Sequence, residues 1–124
     1  MNYADFRYML ETTIIQGKEI SKLEKYTPKY FEDAIDDVLA DLKVLLVKKH
    51  VDYGPKNILN SPFSPYHGLI TREYDKVARA ENLLKMGKTP ENESLEDTWM
   101  DMANYPIIAL MVARGNFDLP LKDD

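Results

Sequence analysis

Asp97, Asp101 and Asn104 stand at i, i+4 and i+7, which places two carboxylates and a carboxamide on one stripe of a helix. Like charges one turn apart repel, so the pair calls for a compensating cation. A hard ion that takes oxygen ligands, Mg²⁺ above all, suits it. A solvated helix face is the competing reading. A second group, Arg72, Asp75, Lys76 and Arg79, repeats at i, i+3, i+4 and i+7. Three cations around one carboxylate suit a polyphosphate, with arginine as a planar bidentate donor and lysine as a point charge. Asp75 is then available to join Asp97 and Asp101 around a metal; a salt-bridged surface face is the alternative. The third group is the run from Lys48 to Asn57. Asp52 falls at a helix C-terminus, where an anion is locally disfavoured. That suggests a ligand or metal role, against a plain helix stop with scattered polar residues. Lys56 and Asn57 follow on a loop able to close over a ligand.

These residues need helices to position them. Thr27-Pro28 reads as an N-cap and first helical residue, opening a long helix that ends near Tyr53, with Gly54 as C-cap and Pro55 as stop. Asp33 and Asp36 meet its N-terminal dipole; Asp37 and Asp41 are either solvated or turned toward the same site. Residues 57–68, with two prolines, read as a loop. Helical spacing resumes from about Leu69 to Met86 and stops at Gly87. After a turn containing Pro90, Ser94 caps the last helix, with Asp97 answering it three residues on. That helix runs from Leu95 to near Arg114, and Pro106 inside it predicts a kink near Met102. Tyr3, Phe6, Leu10 and Ile14 carry helical spacing at the start of the chain.

The expected fold is all-α, a single domain over 1–124: a small bundle of four to five helices. It comprises a helical extension over 1–27, a core over 28–115 and a tail over 116–124, its acidic end frayed. The last helix is apolar almost all round from Tyr105 to Val112, more than one small core covers, so a homodimer or higher homo-oligomer is expected to complete the bundle.

Composition narrows the chemistry. A net charge of −5 without a basic run argues against direct nucleic-acid binding, which needs a positive field. It leaves room for a nucleotide site. The chain has no cysteine, so thiolate metal sites are excluded, and His50 and His67 do not make a zinc site. The longest apolar run, Tyr105 to Ala113, falls short of the ~20 residues of a membrane span. The N-terminus lacks the order of a signal peptide, so a soluble intracellular protein is expected. No glycine-rich phosphate loop and no serine nucleophile elbow occur. Trp99 and the tyrosines are read as core or interface.

In order along the chain stand Asp52-Tyr53-Gly54-Pro55-Lys56-Asn57-Ile58, then Arg72-x-x-Asp75-Lys76-x-x-Arg79 with Leu83-Leu84. Glu93-Ser94-Leu95-Glu96-Asp97-Thr98 follows, leading to Asp101-x-x-Asn104-Tyr105. Together these resemble the nucleotide modification associated domain type 1 family of phages and bacteria, over about residues 35 to 115. That family is similar to the all-α, MazG-like nucleoside triphosphate pyrophosphohydrolases, which hold Mg²⁺ with acidic pairs on two helices. The resemblance implies a Mg²⁺-dependent nucleotide pyrophosphohydrolase acting on a (deoxy)nucleoside triphosphate in nucleotide or DNA-base modification. Asp75, Asp97 and Asp101 would be the catalytic and metal-holding residues, with Glu93 or Asp52 beside them. The metal would polarise the α-phosphate and activate water. Arg72, Lys76 and Arg79 would neutralise the phosphates, and Tyr53, Lys56, Asn57 and Asn104 would complete the substrate site. It implies a cytoplasmic location, in the host for a phage gene. Here Asp97 and Asp101 are four apart rather than three, and Arg72-Glu73-Tyr74-Asp75-Lys76 replaces the first acidic pair. The alternatives are a non-catalytic nucleotide-binding or adaptor protein and a phage interaction bundle. If Asp101 is repelled within its own stripe, Asp101→Asn should keep or slightly raise stability.

Overall fold

The computed structural model describes residues 27–87 and 94–123. The helical spacing over 3–14, the extension to residue 26, the turn containing Pro90 and Glu93 lie outside them. The described residues are all-α, with four helices and no strand among them: α1 (Phe31–Tyr53), α2 (Lys56–Leu59), α3 (Pro65–Met86) and α4 (Leu95–Ala113). None of these helices is long and apolar enough to cross a membrane.

The helix ends follow local chemistry. Gly54 and Gly87 adopt φ of +66° and +64°, the left-handed conformation that glycine takes without steric cost, and each closes the helix before it. Ser94 accepts from the Asp97 backbone N–H at 3.0 Å, and the Asp97 carboxylate accepts from the Ser94 N–H at 3.4 Å, a complete capping box. Two boundaries differ from the sequence reading. α1 begins at Phe31, its first described bond running from the Ala34 N–H to the Tyr30 carbonyl, so Thr27-Pro28 precedes the helix. Residues 57–68 are not all loop: α2 occupies the start, and α3 opens at Pro65. Ser64 is its N-cap, accepting from the His67 N–H at 3.1 Å, with proline at the first helical position. Between them the chain turns tightly at Phe63. Its φ is +70°, and the Ser64 N–H donates to the Pro62 carbonyl at 2.9 Å, a γ-turn of the strained hand. Pro106 lies inside an uninterrupted α4.

The chain divides into two compact units, Met1–Lys48 and Lys49–Asp124. The boundary falls within α1, so its last turn belongs to the second unit. In the first unit the Asp37 carboxyl is held above its ordinary range, chiefly by lost hydration and then by repulsion from Asp41, Asp33 and Asp36.

In the second unit α3 packs along α4, and α2 rests on α3. Ile58, Leu69, Ala80, Ile108 and Phe117 are its buried apolar residues. Phe117 lies beyond α4 and sets its ring edge against His50, centroids 5.0 Å apart. Phe117 therefore anchors the chain just after Gly115 to the unit. The α3–α4 pairing is antiparallel: Arg79 meets Thr98 and Lys76 meets Asp101, three residues earlier on one helix and three later on the other. The same register carries Arg72 and Glu73 toward Tyr105.

Gly68 sets how closely α3 approaches the segment after α2. A Cβ there would lie 2.6 Å from Ser61 Oγ, 2.9 Å from Ser61 Cβ and 3.1 Å from Arg72 Nη1. Helix propensity alone favours alanine by about 1 kcal/mol, but such overlap costs about 1–3 kcal/mol. Gly68→Ala is therefore expected to lower the denaturation midpoint, and adding Ser61→Gly should recover most of the loss. A stabilised Gly68→Ala single variant would show that the approach is not tight.

Candidate functional site

The face of α4 turned inward carries polar groups. Thr98, Asp101 and Asn104 are buried together with Ile108, a helical spacing of three to four residues. Asp101 stands between two lysines. Lys49 Nζ, from the last turns of α1, donates to Oδ1 at 2.7 Å, and Lys76 Nζ, from α3, lies 2.9 Å from Oδ2. The carboxylate side chain is 4% exposed, against 46% for Lys49 and 20% for Lys76. One turn along, Arg79 donates to the Thr98 hydroxyl, which in turn donates to the Ser94 carbonyl at 3.2 Å.

Tyr105 completes the cluster. Burial first, and the Asp101 charge second, raise its phenol above the ordinary range, while Lys76, Lys49 and Arg72 pull it down. The net shift keeps the hydroxyl protonated at neutral pH and able to donate. Arg72 is held from the other side: its Nη2 donates to the Asn57 carbonyl at 3.3 Å. Asn57 therefore serves through its backbone, and Ser61 Oγ donates to the same carbonyl at 2.9 Å. Lys49 and Lys76 thus share one carboxylate, and both, with Arg72, act electrostatically on the Tyr105 phenol.

A family model described as nucleotide modification associated domain 1 matches residues 49–112. The chain belongs to that family. The match spans the Lys49–Asp101–Lys76 cluster, Arg72, Arg79 and Tyr105, and begins where the second compact unit begins. No curated protein and no solved structure matches the chain.

Within this nucleotide modification associated domain, the residues singled out from sequence fall in different places. Lys76 and Arg79 meet α4, and Arg72 reaches the Asn57 carbonyl of α2. Asp101 and Asn104 are buried. Asp97 is exposed, with its carboxylate on the end of α4 as the cap, and Asp75 is exposed. Asp52, Tyr53 and Lys56 are exposed at the end of α1 and the start of α2.

Among the described residues no three of His, Cys, Asp and Glu gather closely enough to hold a metal ion. Asp75, Asp97 and Asp101 do not form such a group with one another. Asp97 answers the helix N-terminus, and both oxygens of Asp101 meet ammonium groups. Lys49 and Lys76 offset the repulsion between Asp97 and Asp101.

Three participants escaped the sequence reading. Lys49 was visible in the Lys48-Lys49-His50 run, but spacing does not say which lysine turns inward. Tyr105 lies one turn beyond Asp101, the expected distance for a neighbour on the same stripe. Glu73 sits in a cavity of about 460 Å³ between α3 and α4. Its Oε1 is buried without a hydrogen-bond partner, and lost hydration raises its pKa above 4.5. The sign of the linkage follows. Below 4.5 the carboxyl is protonated folded and unfolded, and burial costs little. As pH rises through 4.5 and then the higher folded value, the unfolded chain ionises first and stability falls. Glu73→Gln removes that titration. The Tm of the variant relative to the natural protein is expected to climb between pH 4 and pH 7; a difference independent of pH would contradict it.

Proposed function

We propose that this protein binds a nucleotide by its phosphates at the cluster of Lys49, Arg72, Lys76 and Tyr105. The observation that carries the reading is the convergence of two lysines from separate helices on one buried carboxylate, Asp101, inside the family match. Asp101 holds the two ammonium groups at a fixed spacing. An ammonium has three donors, and the partly exposed Lys49 side chain can meet an incoming anion while Asp101 holds it. The guanidinium of Arg72 offers a planar fork for a phosphate, and the protonated Tyr105 hydroxyl adds a neutral donor. Arg79, bonded to the buried Thr98, acts as a structural cation at the edge of the site.

Binding comes first in this reading and turnover second. The pyrophosphohydrolase activity implied by the resemblance calls for acidic groups around a metal, and among the described residues Asp75, Asp97 and Asp101 are not gathered into one. Mg²⁺ would enter as the counter-ion of the polyphosphate. The protein is then a nucleotide-binding member of a modification system, and a homo-oligomer is the proposed form, with Trp99 and Leu110 of α4 exposed as apolar surface. Calorimetric titration with a nucleoside and its mono-, di- and triphosphate tests the site. Affinity should rise with each phosphate and weaken as salt is raised. Equal affinity for the nucleoside and its triphosphate would overturn the assignment. A pyrophosphate-release assay with Mg²⁺ on the same samples separates turnover from binding.

A further inference from the structure

Phe63 breaks two local rules. Its φ of +70° lies in the left-handed region that glycine takes freely, and its side chain is 99% exposed. Backbone strain and an apolar ring in water are both unfavourable, and residues that run against local preference gather at functional sites. Phe63 lines a cavity of about 410 Å³, formed by the turn before α3 and the first turns of that helix, a volume in the range of small-molecule sites. His67 stands beside the ring, centroids 6.3 Å apart, and its Nδ1 is held 2.7 Å from Ser64 Oγ. Gly68 and Arg72 line the same cavity, and Arg72 Nη1 lies 3.1 Å from where a Cβ on Gly68 would stand. Arg72 donates to the neutral carbonyl of Asn57, and among the described residues no carboxylate pairs with it. Arg72 also acts on the Tyr105 phenol, so it links this cavity to the cationic cluster. Gly68, Arg72 and Lys76 follow one another at four-residue intervals on α3, a spacing that keeps them on one side of a helix. From Gly68 to Lys76 the helix rises about 12 Å.

We propose that this cavity seats the base of the bound nucleotide, stacked on the Phe63 ring, while the phosphates run past Arg72 to Lys76 and Lys49. The inference rests on the nucleotide reading above and deepens it by naming where the base lies. A base–aromatic stack needs an open ring face, and the exposed Phe63 offers one. Stacking is tolerant of base identity, because every base has a π-face, so the site takes nucleotides as a class. The rise from Gly68 to Lys76 is a span that an extended nucleoside triphosphate covers. A guanidinium without a carboxylate partner beside the ring favours a ligand that carries an anion next to its ring over an apolar side chain of a second copy.

The test splits the ligand. Phe63→Ala removes a side chain that is exposed, so the fold loses no packing. It should weaken binding of adenosine and cytidine triphosphates by roughly tenfold each, the scale of one base–aromatic stack, and leave the affinity for inorganic tripolyphosphate unchanged. Phe63→Trp keeps a stacking ring and should retain nucleotide affinity. In a Trp99→Phe background it also carries the only indole of the chain, and a stacked base should quench its fluorescence. Unchanged nucleotide affinity in Phe63→Ala, equal losses for nucleotide and tripolyphosphate, or an unquenched indole at saturating nucleotide would overturn the base site. Light scattering in which Phe63→Ala dissociates an oligomer would assign the ring to a second copy and likewise overturn it. Quenching by adenosine without any binding of tripolyphosphate would count against the phosphate site and leave the base site standing.

Discussion

Asp101→Asn is expected to destabilise the protein by about 2 kcal/mol. Asparagine keeps the size of the side chain and removes its charge. Two ammonium groups then face a neutral amide at positions where they had a carboxylate at 2.7 and 2.9 Å. Breaking a fully buried ion pair costs about 3–5 kcal/mol. The expected loss is smaller because Lys49 and, to a lesser degree, Lys76 reach solvent and can rehydrate. This reverses the expectation drawn from spacing alone, which had Asp101 repelled by Asp97 and the variant at least as stable. Urea denaturation of both proteins at pH 7 measures the effect. A midpoint unchanged or raised in the variant would mean that the lysines contribute nothing through Asp101.

Lys76→Met is expected to weaken binding of a nucleoside triphosphate by roughly tenfold or more, the scale of one lost charge-assisted hydrogen bond. Methionine retains the apolar stem that packs between α3 and α4 and loses the ammonium. The substitution removes one of the two cations on Asp101. Lys85→Met, in the exposed last turn of the same helix, is the matched control and should leave affinity unchanged. Equal losses from the two substitutions would indicate a diffuse electrostatic response and no defined site. Comparing monophosphate and triphosphate sharpens the result, because the variant should lose more affinity for the longer anion.

Much of the fold was legible because its helix ends are written in residue types. Gly54, Gly87 and the Ser94–Asp97 box stop and start helices where their chemistry requires. Ser64-Pro65 carried the same kind of signal as Thr27-Pro28, yet the first opens a helix and the second does not. A capping sequence permits a helix start; the hydrogen bonds around it decide whether the chain uses it. The two polar stripes were also legible, and their orientation was not. A repeat of three to four residues places Arg72, Lys76 and Arg79 together but is silent on whether they face water or another helix. The lysines that meet the acidic stripe were illegible for a related reason. Asp97 and Asp101 look alike in sequence, but the N-terminus of α4 takes one and two lysines, distant along the chain, take the other. Lys49 is 52 residues from Asp101, a pairing that no local pattern reveals.

The central claim is that nucleotide phosphates lie against Lys49, Arg72, Lys76 and Tyr105, and amide NMR shift mapping during titration with a nucleoside triphosphate tests it most directly. The largest changes should fall at those four residues and at Asp101, saturating with a single affinity. Saturating shifts centred instead on the carboxylates Asp33 to Asp41 or on the last turn of α3, or no shifts at millimolar nucleotide, would contradict it.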